Sequence, residues 1–247
     1  MTHLFKNNEH GFSIVELVIS LAITLMLLGV AIRMFNVQQD AYNSQEQVTD
    51  LHQNIRTSMD AMSREIRMAG CMVVGTSTIK TSGTSTITFL GDVDGDIVTN
   101  LTTNAVAGAT TIFVSLTPDS NYAIANTDYI YISDGSHTEV VPVNSSASHL
   151  IGEPDPIFLN SGLLYSYTAG SATVRTVEKV TFSFDTNNLR IDRNSQPLAE
   201  NIEAMSFTYG TNTVTVAITG RTANIDPNYG DNYRRGTLTS TIKLRNQ

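Results

Sequence analysis

Gly11-Phe12-Ser13-Ile14-Val15-Glu16 opens an apolar run that continues to Ile32. From Leu17 to Ile32 sixteen residues carry no charge, and counting back to Phe12 gives twenty-one with one, Glu16. At about 1.5 Å per residue a helix over that span measures roughly 31 Å, close to the hydrocarbon thickness of a bilayer. A carboxylate inside such a segment costs about 2.5 kcal/mol or more unless it meets a partner, so Glu16 is the first functional candidate. Two plainer readings compete with a functional one. A secretory signal peptide needs a small-x-small cleavage site after the run, but Arg33, Met34 and Phe35 stand there. An ordinary membrane anchor would carry Glu16 incidentally.

Gly11-Phe12-Ser13-Ile14-Val15-Glu16-Leu17 resembles the processing site of type IV prepilins and type II secretion pseudopilins. The resemblance implies that prepilin peptidase cuts between Gly11 and Phe12 and methylates the new amine of Phe12. It leaves Glu16 as an intramembrane acid that meets the N-terminal amine of a neighbouring subunit. The charges fit that role, because a buried ammonium and a buried carboxylate are each expensive alone and tolerable together. Residues 1–11 depart from the usual basic leader: Lys6 is offset by Glu9, beside His3 and His10. With Arg33 just past the other end of the span, the charge balance sets no orientation, and a cytoplasmic N-terminus is implied by the resemblance alone.

The helical pattern continues past Ile32 without a proline. Val48, Leu51, Ile55, Met59, Met62, Ile66 and Ala69 recur at steps of three and four, which is one apolar stripe. A helix from about Ser13 to Ala69 would be roughly 85 Å long, with Gly70 as its stop. Gly29 lies in the anchor, where it would ease either bending or close packing. Met62-Ser63-Arg64-Glu65-Ile66-Arg67-Met68-Ala69-Gly70 resembles the helix end of PilW-type minor pilins and of the J-type pseudopilin. Leu198-Ala199-Glu200-Asn201-Ile202-Glu203 and the ending Leu244-Arg245-Asn246 extend that similarity to the C-terminal part.

From Thr76 onward the period changes to two. Ile87 and Phe89; Ile112, Val114 and Leu116; Val180, Phe182 and Phe184; Met205, Phe207 and Tyr209; Val214, Val216 and Ile218; and Leu238, Ile242 and Leu244 each outline a strand. Tyr129–Ser133, Asp134-Gly135 and Glu139–Val143 read as a hairpin, with Pro142 pointing to an edge strand. Asn187-Asn188 turns the chain into Leu189–Asp192 as a second hairpin, and Gly220–Tyr233 is a polar loop. Residues 92–170 rest on strand pattern alone and leave room for an extra β subdomain. The expected fold class is α+β: a long N-terminal helix, part transmembrane and part amphipathic, packed on an antiparallel sheet. Its divisions are leader 1–11, transmembrane part 12–35, amphipathic part 36–70 and β-rich domain 71–247.

The 247 residues suit an anchor plus one soluble domain of about 175 residues. The net charge of −8 argues against nucleic-acid binding, and loss of residues 1–11 removes one Lys and one Glu, leaving it unchanged. Cys71 is the single cysteine, so no intrachain disulfide forms. It reads as a small buried residue at the helix end, or as a thiol for an intermolecular bridge. Many major pilins close a C-terminal loop with a disulfide, so the resemblance here leans to a minor pilin or pseudopilin. Hydrolase, metalloprotease, redox and phosphate-loop motifs are missing, and His52, His137 and His149 are scattered, so the chain reads as no enzyme. No cofactor is called for, with one candidate exception. Asp92, Asp94 and Asp96 around Gly95 resemble the opening of a calcium loop, although the bidentate Glu of an EF-hand is missing and a solvated turn explains them equally.

Three readings follow. The first is a structural minor pilin, kept in the bacterial inner membrane with a periplasmic domain until it enters a pilus with other minor pilins and the major pilin. A J-type pseudopilin of a type II secretion pseudopilus is its near alternative. The second is a tip adhesin, which calls for an exposed aromatic cluster among Tyr122, Tyr129, Tyr131, Tyr165 and Tyr167. The third is a membrane-tethered enzyme, which calls for a convergent polar pocket.

Overall fold

The computed structural model describes residues 13–71, 73, 79–91, 98–115, 129–146, 154–226, 229 and 232–245. The chain divides into two units, Met1–Thr49 and Asp50–Gln247. Helix α1 (Ile14–Arg67) supplies residues to both. Within the first unit its apolar side chains are uncovered: Ile14, Leu17, Leu21, Leu25, Leu28 and Ile32 are each more than half exposed. By length and composition α1 can cross a membrane, and the qualifying stretch lies near the N-terminus with none of it buried.

The second unit is built from the end of α1 and antiparallel strands, as the α+β reading expects. Leu51, Ile55, Met59, Met62, Ile66 and Ala69 are all buried in one core. The helix stops where glycine allows it. Met68 and Ala69 donate to the carbonyls of Glu65 and Ile66, Gly70 adopts φ +77°, and its N–H donates to Leu90 O at 2.8 Å.

The stripe does not lie on one sheet, as the strand pattern suggested, but against two. One is a three-stranded sheet of β11 (Ile202–Tyr209), β12 (Thr213–Arg221) and β13 (Arg235–Lys243), in that order. It contributes Met205, Phe207, Val214, Val216, Ile218 and Ile242 to the core. The other is a ten-stranded sheet whose contribution comes from β2 (Thr86–Gly91), the long β8 (Thr173–Asp185) and β9 (Arg190–Arg193). Ile87, Phe89, Val180, Phe182 and Ile191 point into the same core, with Phe184 only partly covered. Two short strands, β1 (Ile79–Ser82) and β10 (Gln196–Ala199), add to β2 and β9.

β8 belongs to two cores. Its C-terminal half pairs with β2 on one side and β9 on the other. Its N-terminal half pairs with β3 (Val98–Asn100) and β5 (Tyr129–Ser133). From β5 the sheet continues through β6 (Thr138–Ser146) and β7 (Asp155–Leu159) to β4 (Thr111–Val114). It then returns on itself: Leu101, next to β3, bridges Val114, Thr102 N–H donates to Phe113 O at 2.9 Å, and the Thr99 hydroxyl donates to Ser115 O. The six strands thus enclose their own core of Leu101, Ile112, Ile130, Ile132, Val141 and Val174 among others. This is the extra β subdomain for which residues 92–170 left room.

Pro142 does not mark an edge. β6 pairs with β5 on one side and β7 on the other. Pro142 O accepts from Asn160 N–H at 2.9 Å, so its missing donor faces the β7 side. There the ladder has just run out, with Val143 opposite Leu159 as the last pair. The polar loop is shorter than Gly220–Tyr233, because β12 runs on to Arg221 and Thr222 N–H still donates to Arg234 O.

Glycine is needed where α1 approaches the three-stranded sheet. A Cβ on Gly220 would stand 2.8 Å from Leu51 Cδ1 and 3.1 Å from Ile55 Cδ1. Gly220→Val is therefore expected to destabilise the full chain by about 1–3 kcal/mol through overpacking. Leu51→Ala should recover part of that loss in the double variant, since the two side chains compete for one space. Denaturant melts in detergent read both, and strictly additive losses would disprove the steric contact.

Candidate functional site

Ser13 and Glu16 start α1 as a reciprocal pair. Val15 N–H donates to Ser13 Oγ at 3.3 Å, and Ser13 N–H donates to Glu16 Oε2 at 3.1 Å. Leu17 N–H closes the first turn on Ser13 O at 3.1 Å. This is a capping box, in which two otherwise orphaned donors are satisfied by side chains three residues apart. The carboxylate also sits at the positive end of the helix dipole. Further along the apolar run, Ser20 Oγ donates to Leu17 O and Thr24 Oγ1 to Ser20 O, so both hydroxyls are satisfied within the helix. Gly11 and Phe12 lie outside the described residues. The partnership of Glu16 with Ser13 was missed from the residues, although Ser-x-x-Glu ahead of an apolar run is a signature of this cap.

Residues 6–32 match the family model described as the prokaryotic N-terminal methylation motif. The N-terminal segment is type IV prepilin-like. The motif marks a pilin-like precursor of the kind that prepilin peptidase processes and that assembles with other pilins. With the long apolar helix it fits membrane anchoring. No curated protein and no solved structure matches the chain.

The remaining candidates disperse. Asp92, Asp94 and Asp96 lie outside the described residues, in the link between β2 and β3. Among the described residues no group of three or more His, Cys, Asp or Glu side chains is placed to hold a metal ion. Cys71 is half-buried beyond the helix end. His52 borders Gly236, His137 stacks on Tyr165 at 4.6 Å in the β5–β6 turn, and His149 is outside the described residues. Of the five tyrosines, Tyr131 and Tyr167 are buried, Tyr129 is half-buried, Tyr165 is exposed, and Tyr122 is not described.

Two buried carboxylates carry structural work that the strand and helix patterns did not single out. Glu65 accepts from Arg193 Nε at 2.8 and 3.0 Å, tying the end of α1 to β9. Its position, three residues after Met62 and four before Ala69, places it on the apolar stripe, and that was the available signal. Glu139, 5% exposed, accepts Leu164 N–H at 2.9 Å and Tyr165 N–H at 3.4 Å and so holds the segment after β7. Burial, then the charge of Glu139, pushes the Tyr167 phenol above its ordinary value.

Three surface carboxyls are held below their ordinary range. For Asp134 the cause is the backbone N–H groups of His137 and Ser136. For Asp185 it is the Asn188 side-chain amide, then the Asn188 backbone. For Glu203 it is the hydrogen bond from Arg235, joined by the charges of Arg235 and Arg221. A carboxyl lowered by folding adds stability above its unfolded value, and that addition disappears as pH falls through the folded value. Glu203→Gln should therefore melt below wild type at pH 7, and the gap should narrow as pH falls below the ordinary glutamate range. Thermal melts of both chains across that range give the answer. A gap independent of pH would assign the effect of Glu203 to shape.

Proposed function

We propose that this chain is a structural minor pilin, cut between Gly11 and Phe12, N-methylated at Phe12 and incorporated into a type IV pilus or needed to initiate one. The observation that carries the reading is the methylation motif at residues 6–32 running directly into a helix whose large apolar residues from Ile14 to Val37 are uncovered. Such a surface requires lipid or the helices of neighbouring subunits around it. On this reading residues 1–11 are the leader, 12–35 the membrane part, 36–70 the amphipathic part and 71–247 the periplasmic domain. A J-type pseudopilin of a type II secretion system would share every one of these features. The adhesin reading gains no support, because the described tyrosines that were to form its aromatic surface are mostly covered. The motif family is structural, and an enzymatic role is not proposed.

Glu16 is proposed to register one subunit against the next. In the single chain its Oε2 accepts from Ser13 N–H, which satisfies a hydrogen bond but supplies no counter-ion. No Lys or Arg lies between Phe12 and Ile32. The methylated amine of Phe12 on an adjacent subunit supplies the missing charge.

Mass spectrometry of filament-borne protein should find an N-methylated Phe12 terminus, and a bulky residue at Gly11 should abolish it. An intact Met1 on incorporated protein would refute the processing. Glu16→Gln is a clean test of the charge, because glutamine also completes a capping box and the helix start is kept. Cleavage is expected to persist while filament incorporation falls about a hundredfold or more, since removing one partner of a buried charge pair costs about 3–5 kcal/mol. Normal assembly with lost methylation would instead assign Glu16 to the processing step.

A further inference from the structure

Strand β13 is the exception among the free strand ends of this protein. β1 and β10 are four residues each, each breaks register once, and β10 contains Pro197, all of which blunt an edge against pairing. β11 is engaged on its outer side, where Phe207 N–H donates to Thr84 O at 2.8 Å. β13 has nine residues, no proline and an unbroken register with β12. It ends its sheet, and among the described residues no backbone bond reaches the outer side of residues 237–243, while just beyond them Arg245 N–H donates to Arg67 O at 3.4 Å.

The register fixes which groups face outward. Thr222 N–H donates to Arg234 O and Leu244 N–H to Asn212 O, at the two ends of the continuous ladder. Hydrogen-bonded pairs alternate, so residues 236, 238, 240 and 242 face β12. Arg235, Thr237, Thr239, Thr241 and Lys243 direct their N–H and C=O groups to the open edge. Their side chains form a stiff outer face, with Thr237 and Thr241 hydroxyls paired to Thr219 and Thr215 at 2.9 Å. On the inner face Leu238 stays 36% exposed although its cross-strand partner Ile218 is fully buried.

We propose that a neighbouring filament subunit of a different kind adds an extended segment along β13, uncharged in its middle and acidic where it meets Lys243. This rests on the filament reading given above. Strand addition supplies the outward donor–acceptor sites of Thr237, Thr239, Thr241 and Lys243 with partners and covers Leu238. The charge pattern selects against a second copy of this chain. Antiparallel self-pairing over all nine residues sets the cationic side chains of Lys243 and Arg235 opposite each other. Like charges then face each other directly. Lys243 and the nearby Arg245 are exposed and have no ion-pair partner among the described residues, so an acidic segment is the complement.

Residue-resolved hydrogen exchange on the full chain, once solubilised in detergent and once in isolated filaments, tests this. The amides of Thr237, Thr239 and Thr241 should slow about tenfold or more in the filament, while those of Leu238 and Ser240 are protected in both states. Thr239→Pro removes one outward N–H and no bond to β12. It should keep Gly11 processing and the protection of Leu238 and Ser240, yet fail to enter filaments. Equal exchange of the outward amides in both states, or Thr239→Pro incorporated at the wild-type level, overturns the proposal. Outward amides already protected in the concentrated solubilised chain would overturn it in favour of self-pairing. A wild-type chain absent from every filament overturns the filament reading itself.

Discussion

The seam between the apolar stripe of α1 and the two sheets is the constraint on which the domain depends. The three-stranded sheet and the β2, β8 and β9 part of the other sheet share one core with the stripe, which covers their apolar residues. Leu51, Ile55, Met59, Met62, Ile66 and Ala69 meet residues of β2, β8, β9, β11, β12 and β13 in one core. Each large side chain there is worth roughly 1.5–3 kcal/mol of burial. The approach is close enough that backbone must replace side chain in places. Gly220 lies against Leu51 and Ile55, and a Cβ on Gly91 would stand 2.8 Å from Met68 O. Close packing of this kind transmits strain and tolerates little added volume.

β8 carries that order outward. Thirteen residues long, it is a wall of the helix-bearing core at one end and of the enclosed β core at the other. The enclosed subdomain is thereby a continuation of the helix-bearing domain's own sheet and not an independent module. The covered tyrosines follow from this arrangement: Tyr167 fills the β core, and Tyr131 packs with Val73 and Val177.

Charged groups are treated in two ways. Glu65 and Glu139 are buried and completed inside the chain, one by Arg193 and the other by backbone N–H groups. Glu16 accepts a hydrogen bond from its own helix start and has no ion-pair partner among the described residues. A carboxylate left in an apolar segment is costly without a counter-charge, and that sets it apart from the buried acids of the domain.

What could be read from residues alone was whatever rests on local periodicity. The apolar first part of α1, the stripe to Ala69, the stop at Gly70 and most strands follow from spacing of 3.6 or 2, because backbone geometry imposes those periods on any chain; the Ser13–Glu16 cap was legible as Ser-x-x-Glu but was not drawn from it. The methylation motif was legible because it is short and contiguous. Pairing was not, since which strands become neighbours depends on contacts between residues far apart in the chain. Two sheets against the stripe, the return of β4 to Leu101, the interior place of Pro142 and the open edge of β13 were all decided at that level. The same holds for Glu65 and Glu139: an acidic residue in a helix or strand reads as solvated until its partner, 128 residues away for Glu65 and 25 for Glu139, is brought beside it by the fold.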